Sequence, residues 1–419
     1  MRKKWIAAAA AVFALSAAGC GSSSGPTLPA RVTEPETETE TETQAAQTEA
    51  PETAEAETAE EETGGAEGSA DASAEQTAES AVSELLSPES TYVASAFSST
   101  PEDPYGIVDV TSAEYTYDDM VSDLQELEAY YTSILRTAVI GTTHDGRNIW
   151  AFRFGNPEAS EQIFICAATH GREYMTAQLV MKQLEYCCAN YSSGTYTDGT
   201  AYSDLFDRTC FIVVPMVNPD GVSISQFGEE GLNREDLRAN LRAIYESDLG
   251  NGYTTDQDYA DYLTRWKANA MGVDLNRNYS PGWDSLNDRV NPSSSLYKGA
   301  EAGSEPESQA LMGVINALPN PILAVSYHSY GNLVYWDYGQ DDPLLSENKA
   351  LAQHFADLTG IDLGGESNEA GFSNWCVLVR QIPSVTVEVG TQECPLPIEE
   401  FEPIWNTHSQ VWAMLADLY

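Results

Sequence analysis

The sequence predicts a single large α/β domain with a mixed, mostly parallel central sheet flanked by helices, preceded by a disordered acidic stalk. Three observations carry that expectation. Four runs rich in Val and Ile (IFICAA, FIVVPMV, PILAVSYHS and SVTVEVG) have the continuous apolar character of strands buried on both faces. They alternate with stretches of helical apolar spacing, as a parallel sheet covered on both sides requires. The composition also changes near residue 103, from an acidic low-complexity tract to a globular mixture that holds to Tyr419.

Taken in order, residues 1–20 read as an export signal. Arg2, Lys3 and Lys4 precede WIAAAAAVFALSAA, an apolar run too short for a comfortable membrane span. The run ends in LSAAGC followed by GSSSG, which resembles the lipobox of bacterial lipoproteins, with Cys20 the lipidated residue and Ala17 where that motif usually has a larger aliphatic side chain. Ordinary cleavage after a small residue would instead leave a free, secreted protein. Both readings place the chain outside the cytoplasm, the first as a lipid-anchored protein exposed in the cell wall.

Residues 21–103 read as a linker. Glu34 to Glu79 holds roughly sixteen acids and no base, too little apolar surface to offset the entropy of ordering. About 80 flexible residues would span roughly 50 Å on average. The formal net charge of -45 argues against nucleic acid or an anionic membrane surface as a direct partner. The chain is read as a monomer.

Residues 104–419 form the expected domain. YTYDDMVSDLQELEAYYTSI has helical apolar spacing, and TAVIGTTHDGRNIWAFRFGN reads as two strands joined at Asp145-Gly146. IFICAA is followed by the helical MTAQLVMKQLEYCC, and FIVVPMV by the turn signal NPDG. LNREDLRANLRAIYESDL is an alternating charged helix pattern that could wall one side of a cleft. PILAVSYHS and SVTVEVG supply two further strands, and FEPIWNTHSQVWAMLADLY the last helix. Six cysteines follow Cys20 in the chain: Cys166, Cys187, Cys188, Cys210, Cys376 and Cys394. Their even number permits up to three disulfides, although buried thiols fit the apolar runs around Cys166 and Cys210 equally well.

Ligands of open α/β sheets gather at the carboxyl ends of the strands. His170 follows one buried strand, His328 ends another, and Glu388 lies within the short VTVEVG strand. A carboxylate among apolar neighbours needs a compensating partner. Two imidazoles and carboxylate chemistry thus reach one rim, the donor set of a catalytic zinc site. Taken alone, HGRE (His170 to Glu173) is a weak signal, because Glu173 could merely place a charge at a helix N-terminus. His144, His354 and His408 have ordinary turn or helix explanations.

HGRE, NPDG, GVDLNRNY (Gly272 to Tyr279), GSEPES, YHSYG and TVEVGT stand in the order found in zinc carboxypeptidases, and the chain resembles the carboxypeptidase A family over about 104–419. The resemblance implies a zinc metallopeptidase with one zinc ion per chain, held by His170, Glu173 and His328. It implies Glu388 as the general base, taking a proton from the zinc-bound water and delivering it to the leaving amine. Asn276 and Arg277 match a clamp for a substrate carboxylate, Arg172 a substrate-contacting arginine and Tyr330 a tyrosine lining a subsite. Lys267, in RWKANAMGVDLNRNY, stands near the place of the family's oxyanion-stabilising arginine, with Asn269 and Arg265 as alternatives.

The family's mobile capping tyrosine has no counterpart, since no Tyr occurs between Tyr338 and Glu388. The WKAN and GFSNW segments are similar to bacterial enzymes that cleave γ-D-glutamyl-diaminopimelate bonds in peptidoglycan stem peptides. Ser373, at the position that sets side-chain preference in the family, is small and polar, compatible with a zwitterionic side chain. The expected function is therefore an extracytoplasmic zinc peptidase acting on stem peptides. Its rivals are a carboxypeptidase trimming ordinary peptides and a non-catalytic wall-binding module, the latter expected to have lost a ligand or the base.

Overall fold

The computed structural model of the chain describes residues 67–87 and 101–419, so residues 1–66 and 88–100, including Cys20 and most of the expected linker, lie outside the described residues. In chain order the helices and strands are α1 (Glu67–Leu85), α2 (Tyr117–Tyr130), β1 (Leu135–Thr142), β2 (Asn148–Gly155), β3 (Gln162–Cys166), α3 (Met175–Asn190), α4 (Tyr202–Phe206) and β4 (Cys210–Val214). Then come α5 (Pro219–Phe227), α6 (Glu235–Gly250), α7 (Tyr259–Thr264), α8 (Pro306–Ala317), β5 (Pro321–His328), β6 (Leu333–Tyr335), α9 (Leu344–Thr359) and β7 (Asp362–Leu363). The chain closes with α10 (Phe372–Leu378), β8 (Ser384–Glu388), α11 (Phe401–His408) and α12 (Val411–Asp417).

The eight strands form one sheet in the order β1-β2-β4-β3-β5-β8-β6-β7. Its centre, β4-β3-β5-β8, is parallel, and antiparallel pairs bring in β1, β2 and β6. The mixed sheet agrees with the predicted class. Because strand side chains alternate between faces, Ile163 and Ile165 enter one apolar layer while Phe164 and Cys166 enter the other. β4 divides likewise, Phe211 and Val213 from Ile212 and Val214. Every residue of both strands is buried, which is why their sequences read as continuous apolar runs.

Three expectations need correction, and one open alternative is resolved. Residues 67–85, assigned to the linker, form α1. Its Ala78, Ala81, Val82 and Leu85 follow the spacing of one helical face and are buried in the apolar layer that also holds Ala138, Ile140 and Leu311. Acid-rich composition concealed that stripe. NPDG does not merely turn the chain: Asn218 caps α5, its Oδ1 accepting from the Gly221 N–H at 2.9 Å, with Pro219 in the first helical turn. The expected last helix is two, separated at Ser409 and Gln410. All six cysteines among the described residues are free and buried. No helix among the described residues is long and apolar enough to cross a membrane.

Candidate metal centre

Three elements bring the site together. After β3 the chain turns at His170 and enters a single 3-10 turn, Gly171–Glu173, which sets both the imidazole and the carboxylate on one side. Gly171 is required there. A Cβ at that position would lie 2.3 Å from the Gly221 carbonyl oxygen, and the Gly171 N–H donates to the Lys267 carbonyl at 2.9 Å. His328 is the last residue of β5, and the parallel register sets it beside Glu388, the last residue of β8. The strand-end rule thus accounts for the placement.

His170, Glu173 and His328 are buried, and their donor atoms lie within 4.8 Å of one another. His170 Nδ1 is 2.7 Å from Glu173 Oε1, His328 Nδ1 is 3.0 Å from Glu173 Oε2, and the two Nδ1 atoms are 3.2 Å apart. Atoms held about 2.0–2.1 Å from a tetrahedral zinc stand roughly 3.3 Å from each other. The measured separations match the edges of such a tetrahedron. With both Nδ1 atoms deprotonated, as metal binding requires, the two imidazoles and the carboxylate turn their lone pairs toward one point. These residues fit zinc.

The surroundings orient the donors. His170 Nε2 lies 3.2 Å from Asp274 Oδ1, the carboxylate–imidazole arrangement that fixes a ligand's tautomer. Asp274 is buried, and its other oxygen accepts from the Leu296 N–H at 2.9 Å. Burial alone would raise the Asp274 carboxyl, yet the His170 imidazole, Arg277 and Lys267 hold it well below the ordinary aspartate range. Glu173 behaves alike: burial opposes its charge, but His170 and His328 hold it well below the usual value. Glu388 goes the other way. Burial pushes its carboxyl up to about 7, His328 and Lys267 oppose the rise, and Glu173 and Glu369 add to it.

Residues 120–409 match the family model described as zinc carboxypeptidase. The chain belongs to the zinc carboxypeptidase family. It is a zinc metallopeptidase. It is 30% identical to the protein named YqgT of Bacillus subtilis (strain 168), over 66% of this chain and 70% of that one. It is 28% identical to gamma-D-glutamyl-L-diamino acid endopeptidase 1 of Lysinibacillus sphaericus, over 73% and 72%. In fold it is similar to thrombin activatable fibrinolysis inhibitor (TM-score 0.56, 16% identity, 83% of this chain and 79% of that one).

Within this family member the remaining expected site residues divide. Lys267 reaches the centre, with Nζ 3.9 Å from Glu173 Oε1. Its two alternatives do not. Asn269 is buried, its Oδ1 accepting from Met271 and Val273 and its Nδ2 donating to Glu305 and Glu307. Arg265 is exposed and paired with Asp256. Arg172 is half-buried between the two donors of the 3-10 turn. Tyr330, two residues past His328, is 43% exposed. Ser373 is buried in α10, and its Oγ accepts from Thr386 Oγ1 at 2.9 Å.

Asn276 and Arg277 converge on a carboxylate of this same chain. Asn276 Nδ2 and Arg277 Nη1 both donate to Glu369 Oε2, at 3.2 and 2.9 Å. Sequence reasoning missed Glu369, which sits in an irregular segment between β7 and α10, and it missed the role of Asp274, although GVDLNRNY was singled out. α6 packs Leu237, Leu241 and Ile244 into a separate apolar cluster with Tyr262 and Trp266, so it braces the segment that carries Lys267.

A second cluster of donors, His144, Glu305 and Glu307, has the same 4.8 Å compactness. His144 Nε2 is 3.0 Å from Glu305 Oε2, and Ser304 Oγ donates to Glu305 Oε1 at 2.7 Å. Asn269 Nδ2 donates to one oxygen of each glutamate, at 2.7 and 3.2 Å. Glu307 is fully buried, and that burial, reinforced by Glu305, pushes its carboxyl up to about 8.

Proposed function

We propose that this zinc metallopeptidase hydrolyses γ-D-glutamyl-diamino acid bonds of peptidoglycan stem peptides outside the cytoplasm, with zinc held by His170, Glu173 and His328. The observation that carries the chemistry is the convergence of those three side chains with Glu388 beside His328. Zinc, when bound, supplies a Lewis acid and a water acidic enough to be deprotonated near neutral pH.

The chain's own residues do the rest. Glu388, its carboxyl raised by burial, accepts a proton from the attacking water and passes it to the departing amine as the carbon–nitrogen bond breaks. Lys267 offers a point charge to the oxygen that becomes negative as water adds to the carbonyl. Asp274 holds His170 in one tautomer and orientation. Arg277 and Asn276 bind a substrate carboxylate, and Arg172 and Tyr330 line the approach.

The substrate assignment draws its support from the likeness to an endopeptidase named for γ-D-glutamyl-L-diamino acid bonds, together with the WKAN and GFSNW segments. Export, with lipidation at Cys20, completes the proposal; labelling with an alkynyl fatty acid should be lost in Cys20→Ser. The clamp of Asn276 and Arg277 equally favours a second reading, removal of C-terminal residues from ordinary peptides. Incubation with L-Ala-γ-D-Glu-meso-diaminopimelate and with all-L peptides, read by mass spectrometry, separates the two. Cleavage of the all-L peptides alone rejects the stem-peptide assignment.

A further inference from the structure

We infer that Glu369 forms an ammonium subsite, so that the Arg277–Glu369 pair selects a substrate residue carrying both a carboxylate and an amine. The inference rests on the clamp assignment above. Ser373, expected to set side-chain preference, is buried beside Thr386 and carries no charge. Four residues earlier, Glu369 supplies an acid at the clamp itself. Its side chain remains 45% exposed while Arg277 is 12% exposed, so the carboxylate faces solvent on the open side of the pair.

The placement of Glu369 is built into the backbone. The Tyr279 N–H donates to the Ala370 carbonyl at 2.9 Å, and the Phe372 N–H donates to Asn276 Oδ1 at 3.3 Å. A Cβ at Gly371 would fall 2.2 Å from Asn276 Oδ1, so only glycine lets this segment lie against the clamp. Both residues flanking Glu369–Ala370 in space therefore belong to LNRNY.

Charge decides what such a pair can hold. Arg277 alone would attract any carboxylate, but Glu369 offsets its charge and, with the Asn276 carbonyl, engages Nη1, leaving the Nη2 and Nε hydrogens. A guanidinium has five N–H donors, so a second carboxylate can bind beside Glu369. A simple C-terminal carboxylate would then leave two acids facing one base. A diamino acid brings its own ammonium, which restores neutrality and gives Glu369 a charge-assisted partner. Discrimination against the carboxylate-only competitor comes from the unpaired acid.

The test uses the zinc-loaded full chain and Glu369→Gln, each given two substrate pairs: a γ-D-glutamyl-L-lysine peptide with its Nε-acetyl counterpart, and an all-L peptide ending in lysine with its Nε-acetyl counterpart. In whichever pair the wild type cleaves, it should prefer the free amine by about 10-fold or more in kcat/KM. Glu369→Gln should bring that ratio close to one through KM, and Glu369→Asp should restore part of it. Calorimetric titration with lysine and Nε-acetyl-lysine gives the same comparison without turnover. An equal preference in wild type and Glu369→Gln, or no wild-type preference, overturns the subsite. Cleavage of the all-L pair alone rejects the stem-peptide reading while the ratio still reports on Glu369.

Discussion

Among the described residues, two clusters bring histidine and glutamate donor atoms within 4.8 Å of one another, one fully buried and one with His144 partly exposed, and only the first has the character of a metal centre. At His170, Glu173 and His328 two ring nitrogens and a carboxylate converge on one point, with only the Ser329 N–H donating to Glu173 from outside the trio. At His144, Glu305 and Glu307, Ser304 Oγ and Asn269 Nδ2 donate to three of the four carboxyl oxygens. The Asn269 amide cannot turn over, because its oxygen is fixed by two backbone N–H groups. Compactness alone thus fails to identify a ligand set. What the lone pairs face separates a site for a cation from a polar core held together by protons.

The comparison can be broken at several strengths. The largest effect is expected from His170→Ala or His328→Ala, which should reduce bound zinc from about one per chain to a small fraction of that and abolish turnover. His144→Ala should keep the zinc, measured by plasma emission spectrometry on the same preparations. Zinc lost from the His144 variant would overturn the distinction. Treatment with 1,10-phenanthroline should likewise inhibit, and insensitivity would count against zinc chemistry.

Next comes Glu388→Gln. Removing a general base should lower kcat about 10²- to 10⁴-fold with zinc still bound. Undiminished turnover would remove Glu388 from the reaction. Asp274→Asn is gentler: a lost carboxylate partner to a ligating imidazole costs about 10- to 100-fold in metal affinity, to be read by competition with a chromogenic chelator.

The smallest effect sharpens the other cluster. Glu307, with a carboxyl near 8 in the folded chain against 4.5 when exposed, binds its proton more tightly when folded. The folded state therefore loses stability as pH rises from about 4.5 to about 8. Glu307→Gln keeps a donor and an acceptor without that proton. Its stability relative to wild type should climb across the same window, by at most a few kcal/mol, in urea titrations at several pH values. A flat difference would show that Glu307 is ionised in the fold.

Much of this was legible in the sequence, for a physical reason. Strands buried on both faces must be apolar throughout, so His170, His328 and Glu388 stand out as interruptions at strand ends, where a sheet of this class gathers its ligands. Asp274 was visible as a letter of a motif, but its partner lies 104 residues away and only the fold brings them together. Glu369 carries no local signal: an acid in a polar, glycine-rich segment looks like any solvated charge until the LNRNY backbone is seen against it. The burial of Ser373 against the Thr386 hydroxyl is likewise set by the fold and carries no local signal.

Helix α1 lies outside the 120–409 segment matched by the family, yet it shares an apolar layer with Ala138, Ile140, Ile149 and Ala151 of the first hairpin and with Leu311 and Val314 of α8. Handling of the protein inherits a condition from this. A chain trimmed at residue 104, where the composition changes, would uncover that layer as a contiguous greasy patch of the sort that drives self-association. One begun at residue 67 keeps its cover. The shorter chain should sediment as aggregates at concentrations where the longer one stays dispersed, so the acidic region supplies part of the domain's solubility through packing as well as charge.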